Sequence, residues 1–166
     1  MKKLPELGEN IKPFIIAEIG NNHEGSFFNA KKLINEAKKA GVDAVKFQTF
    51  KTENYVNEIE KKRFKRLKKF ELSKKDFYKL YKFSKQKKLK FISTPFDIEN
   101  AKFLGSFVDI FKISSGDNNF FKLIDTVLSF KKPTIISTGL LNFNEIKNLE
   151  KFVKKKKISS KKINFI

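Results

Sequence analysis

Short apolar runs alternate with longer amphipathic stretches along the whole chain. Residues 14–20, Phe-Ile-Ile-Ala-Glu-Ile-Gly, are β-branched and apolar, follow Pro13 and close on Gly20. They read as a buried strand. Residues 26–40 then place Phe27, Leu33, Ile34, Ala37 and Ala40 at helical spacing, and Gly41 ends the helix. Residues 42–48 form a second strand. Residues 49–72 read as a long polar connection, and loops of that length in compact domains are often functional. Ser73 opens a helix to about residue 88, with Asp76 three residues on as an acidic variant of the capping box. Its inner face carries Phe77, Leu80, Tyr81 and Ser84.

The alternation continues to the end of the sequence. Residues 90–96 form the third strand, and Asp97 caps a short helix that ends near Gly105. The fourth strand covers 108–115 and its helix 119–130. The fifth strand covers 133–139. Asn142 caps the next helix, with Glu145 three residues on, and that helix runs to about Lys156. Residues 163–166, Ile-Asn-Phe-Ile, open a sixth strand. Five β/α units plus the start of another imply a parallel sheet with right-handed crossovers. Two architectures fit: a doubly wound open sheet, or the early part of a (β/α)₈ barrel. No internal repeat or low-complexity linker divides residues 1–166 into two domains.

The candidate chemistry favours the barrel, in which catalytic groups sit at the C-terminal ends of several strands. Here each such end is polar. The first carries Glu18, then Asn21, Asn22 and His23; the second Lys46 and Gln48; the third Ser93, Thr94 and Asp97. The fourth carries Lys112, Ser114, Ser115 and Asp117, and the fifth Ser137 and Thr138. Charges inside apolar strands are costly to bury unless paired. An anionic ligand would explain them. Lys46 and Lys112 can converge on a phosphate and a carboxylate, Thr94 and Ser115 add hydroxyl donors, and Gly116 lets backbone N–H groups approach. Glu18 and Asp117 can handle a proton or orient a water. The competing reading is that each lysine pairs with a nearby acid inside the core. His23, the sole histidine, reads either as a contact at the mouth or as a loop histidine bonded to backbone.

Composition narrows the classes. The chain has 166 residues, 20 of them Phe, no Cys and no Trp. Without Cys there is no disulfide framework and no thiolate zinc site, which is compatible with the cytoplasm. The first ten residues show no apolar segment of a secretory signal, and no apolar run reaches the roughly 18 residues of a membrane span. The formal net charge of +19 raises nucleic acid or an anionic surface as partners. The lysines sit mainly in segments that read as helices or loops, and no helix-turn-helix, zinc-finger or RNP-type pattern accompanies them. They are read as solvated faces, with no nucleic acid and no membrane as partner. Neither G-x-G-x-x-G, G-x-x-x-x-G-K-[ST] nor G-x-S-x-G occurs, which argues against a Rossmann dehydrogenase, a P-loop enzyme and an α/β-hydrolase.

Five ordered motifs, spread over residues 13–150, resemble those of the N-acetylneuraminate (sialic acid) synthases and their relatives for legionaminic acid, pseudaminic acid and spore-coat polysaccharide. They are Phe14 to Gly25, Asp43 to Gln48, Ser93 to Asp97, Phe111 to Asp117 and Ile136 to Gly139. The resemblance implies a (β/α)₈ barrel that condenses phosphoenolpyruvate (PEP) with an N-acetylated amino sugar such as N-acetylmannosamine. PEP carbon three attacks the open-chain aldehyde, water adds at carbon two, and phosphate leaves. It also implies PEP contacts at Lys46, Thr94, Lys112 and Ser115, catalytic acids at Glu18 and Asp117, further site residues at Asn22, His23 and Gln48, and a divalent metal, Mn²⁺ or Mg²⁺. Two local departures stand out: Asp117 where the family usually has glutamate, and Asn21 where an apolar residue is more usual.

The metal-binding histidines of the family lie beyond the sixth-strand opening, so none is expected within these residues. The rest of the barrel and the C-terminal antifreeze-like domain of the family are likewise absent from this sequence. The expectation is an incomplete synthase barrel over 1–166, inactive alone, with a homodimer or a complementary C-terminal fragment as partner. The alternative is a basic, non-catalytic binding module derived from such a barrel.

Overall fold

The computed structural model describes residues 13–156, 158–159 and 162–166; the expectation of no secretory signal falls on 1–10, outside them. Six parallel strands lie side by side in chain order: β1 (Ile16–Gly20), β2 (Ala44–Thr49), β3 (Lys90–Pro95), β4 (Ile110–Ile113), β5 (Thr134–Ile136) and β6 (Ile163–Phe165). Among the described residues seven helices join them: α1 (Phe27–Lys39), α2 (Thr52–Tyr55), α3 (Lys61–Phe70), α4 (Lys74–Gln86), α5 (Ile98–Gly105), α6 (Phe121–Ser129) and α7 (Phe143–Lys155).

Alternation along each strand sorts the side chains onto two faces. Val45 pairs with Phe91, Phe47 with Ser93, and Phe111 with Thr134. Val45, Phe47, Phe91, Phe111, Ile113 and Ile136 share one core with Ala30 and Ile34 of α1, Phe77 and Leu80 of α4, Leu104 of α5, Leu123 and Val127 of α6, and Leu149 of α7. The long crossover helices therefore cover the same face. A doubly wound sheet would cover both faces and reverse its strand order; sequential order with helices on one side is a partial (β/α)₈ barrel. The opposite, concave face carries Glu18, Lys46 and Ile92 in register, then Gln48 beside Thr94, and Lys112 beside Ile135.

The caps expected from the sequence form. Ser73 and Asp97 accept from Asp76 and Asn100 backbone N–H groups, and Asn142 with Glu145 closes a full capping box. Ser26, not read as a cap from the sequence, caps α1 by accepting from the Asn29 N–H. Two expectations change. Phe14 and Ile15 precede β1 rather than opening it. The connection 49–72 is not polar loop throughout but holds α2 and α3. Leu67 of α3 is buried with Phe50, Val56 and Phe96, and Tyr55 and Phe70 pack around them. This second small core sits just beyond β2 and β3, since Phe50 and Phe96 directly follow those strands. Among the described residues, no helix is long and apolar enough to cross a membrane.

Candidate functional site

Lys46 and Lys112 are lysines that the strand pattern forces onto the concave face, and both are buried, 7% and 9% exposed, unlike Lys90 at the start of β3. The Lys46 Nζ lies 2.9 Å from Glu18 Oε2 and donates to Thr94 Oγ1 at 3.4 Å. Its charge is matched by Glu18, whose own carboxylate faces solvent. Lys112 has no such match. Its Nζ donates to the Ile113 carbonyl at 2.8 Å and to the Ser137 hydroxyl, and among the described residues no carboxylate lies within ion-pair distance. Burial holds Lys112 down to about 8, and the nearby Lys46 charge adds to this, while Glu18 opposes it. The three charges thus act on one another across a single face: two cations, one acid, and a surplus positive charge centred on Lys112.

The remaining predicted residues differ in what they contact. Gln48 stands beside Thr94 in the β2–β3 register. Ser115 lies on the β4–α6 loop against Gly139, where an added Cβ would come within 3.3 Å of the Ser115 Cβ. Asp117 is not brought onto the lysines. Its carboxylate accepts from the Ser114 hydroxyl in its own loop, and burial pushes it above the usual aspartate range. Asn22 is exposed, with its backbone N–H bonded to the Ile19 carbonyl at 3.0 Å. Ser93 and Asp97 serve the scaffold: Ser93 pairs with Thr49 at 2.6 Å, and Asp97 caps α5.

His23 is placed on the helix side of the sheet, 1% exposed, its ring 6.0 Å from that of Phe47. Its Nδ1 accepts from the Gly25 N–H at 3.1 Å, so the ring proton sits on Nε2. Desolvation holds its pKa down to about 4, which keeps the ring neutral. Nδ1 is thus backbone-bonded, while Nε2 is buried with no hydrogen-bond partner among the described residues.

Ser137, read from the sequence as a polar strand end without a role, is the hydroxyl that Lys112 grips. One contributor was not singled out from the sequence. Buried Asn118 donates through Nδ2 to the carbonyls of Ser137 at 3.2 Å and Gly139 at 2.8 Å, tying the Ser115 loop to the end of β5. No local pattern signals such a contact between neighbouring strand ends.

The pole leaves the Lys112 charge without a carboxylate partner among the described residues, an arrangement chemically suited to an anion. As for a divalent metal, no three His, Cys, Asp or Glu side chains converge among the described residues. These residues do not by themselves fit such an ion.

Comparison with known proteins agrees with the strand motifs. Residues 33–163 match the NeuB family. Over 141 residues the chain is 40% identical to an uncharacterized protein of Methanocaldococcus jannaschii, covering 84% of this chain and 42% of that one. Over 149 residues it is 36% identical to the N,N'-diacetyllegionaminic acid synthase of Campylobacter jejuni, covering 81% of this chain and 45% of that one. The crystal structure of N-acetylneuraminic acid (sialic acid) synthetase from Leptospira borgpetersenii in complex with citrate superposes with a TM-score of 0.86 at 34% identity, over 96% of this chain and 56% of that one. The chain spans about half the length of the relatives it matches.

Proposed function

Because the chain belongs to the NeuB family, we propose that its concave face is the PEP-binding pole of a synthase that condenses PEP with an N-acetylated amino sugar to give a sialic-acid-like nonulosonic acid. The carrying observation is the buried Lys46–Lys112 pair with one acid, Glu18, between two cations. A trianion such as PEP supplies the charge that Lys112 lacks, and binding raises the Lys112 pKa from about 8, so the lysine stays protonated when loaded.

In this reading Lys112 and Ser137 hold one end of PEP, Lys46 and Thr94 the other, and Ser115 adds a hydroxyl from the β4–α6 loop. This fixes the enol plane before carbon three meets the aldehyde. Glu18 is mostly exposed, so its carboxylate can exchange Lys46 for substrate or for the water that adds at carbon two. Burial raises Asp117 above its ordinary value, which favours its carrying a proton. The family resemblance implies Mn²⁺ or Mg²⁺ as a Lewis acid on the aldehyde oxygen; the residues here do not hold one unaided, and no step is routed through it. Both sheet edges, β1 and β6, lack a neighbouring strand among the described residues. Catalysis is therefore proposed to need further strands, from a complementary chain or a longer protein.

The test is phosphate release from PEP with N-acetylmannosamine and Mn²⁺. The 166-residue chain alone should stay far below enzyme-like turnover, on the order of 1 per second. Adding the C-terminal half of a relative should restore turnover, and Lys112→Gln should abolish the gain. Reconstituted turnover indifferent to Lys112→Gln would remove Lys112 from the PEP site, and no turnover on adding the C-terminal half would favour a non-catalytic basic module instead.

A further inference from the structure

Helix α3 is anchored at the mouth end of the barrel, where Leu67 packs into the small core beyond β2 and β3. Seven of its 10 residues are basic. Its two sides differ. On one, Arg63 meets Glu60 at 3.3 Å, and Lys68 meets Glu53 at 2.7 Å and Glu71 at 3.0 Å. On the other, Lys62, Lys65, Arg66 and Lys69 follow one another at i, i+3, i+4 and i+7, and none has a carboxylate at ion-pair distance among the described residues. Like charges at those spacings weaken a helix. A coding bias toward lysine explains many cations but not why the acids gather on one side.

The bare stripe faces a recess of about 520 Å³ whose far wall is the β1–α1 loop, with Glu24 and Phe70 completing the lining. That wall is held in place: Gly25 has φ +80°, and an added Cβ would sit 1.9 Å from the Lys69 carbonyl oxygen. The volume suits a small molecule. Four cations suit a phosphate, with Arg66 able to grip it bidentately. The Glu24 carboxylate suits a hydroxyl, and Phe70 an apolar edge.

We propose that the groove between α3 and the β1–α1 loop is a second anion site, which binds a hydroxylated phosphate monoester separately from the lysine pole. It goes beyond the PEP reading and does not depend on it.

The experiment is calorimetric titration of the full chain with glucose 6-phosphate as probe, in wild type and three variants. Lys65→Gln with Arg66→Gln removes two groove cations. Lys151→Gln with Lys155→Gln on α7 removes equal charge elsewhere. Lys112→Gln disables the inner pole. All four surface residues are exposed, so the fold should persist, as circular dichroism will check. The groove variant should weaken binding about tenfold or more, while the α7 control and Lys112→Gln change it less than about twofold. Equal losses in the groove and α7 variants would mean a net-charge effect and overturn the site. Loss in Lys112→Gln alone would place the phosphate at the inner pole, sinking this proposal while leaving the PEP reading intact. Absence of saturable binding, or binding of a single-stranded oligonucleotide in its place, would overturn the ligand class.

Discussion

Replacing Lys112 by methionine should remove a pH dependence from the stability of the fold. Lys112 is 9% exposed and held down to about 8, against 10.5 for an ordinary lysine, mainly by burial. It therefore gives up its proton more readily in the folded state than in the unfolded chain. Between about pH 8 and pH 10.5 the unfolded state binds more protons, and stability rises with pH. From about pH 7 to about pH 9.5 this one group adds about 2 kcal/mol. The assay is urea unfolding at both pH values for wild type and Lys112→Met, with the change taken as the difference between proteins so that other lysines cancel. The wild type should gain about 2 kcal/mol more than the variant. An equal gain, or a smaller one in the wild type, would show that Lys112 is not a desolvated cation and would remove the case for an unmatched charge at the pole.

His23 carries a dependence of the same sign on the acid side. Held down to about 4 by burial, it makes the unfolded chain the stronger proton binder below 6.5, so stability should fall by about 3 kcal/mol as pH drops toward 4; His23→Gln should flatten that slope in urea titrations. Asn118→Ala strands the Ser137 and Gly139 carbonyls and should cost about 1–3 kcal/mol. By releasing Ser137 it should also move the Lys112 titration, followed by NMR of its ε-carbon, back toward 10.5. Gly25→Ala forces a Cβ into the Lys69 carbonyl at a positive φ and should cost about 2 kcal/mol or more in thermal or urea unfolding.

Most of the scaffold was legible because its signals are local. The runs around Val45, Phe91 and Phe111 could be read as strands from β-branched and aromatic content, and Ser73, Asp97 and Asn142 as caps from the residue type before each helix. The polar strand ends were legible because Lys46 and Lys112 interrupt apolar runs, and a two-residue period sends both to the face without helices. Helix α3 was missed because its apolar positions are diluted by seven basic residues; what holds it is Leu67 reaching Phe50 and Phe96, contacts distant in sequence. Asn118 was missed for the same reason: its partners sit at the end of the neighbouring strand. Asp117 was legible as an acid at a strand end but not as one bound to Ser114, since rotamer choice within a loop leaves no periodic trace.

The most direct test of the PEP-binding pole is calorimetric titration of the chain with PEP at about pH 8, in buffers of different ionisation enthalpy. Lys112 is then about half protonated when free. A phosphate and carboxylate closing on it should draw in up to about half a proton per PEP bound. Saturable binding with that uptake, and loss of both in Lys112→Gln, is the predicted result. PEP that fails to bind, or that binds without proton uptake and equally well in Lys112→Gln, would contradict it.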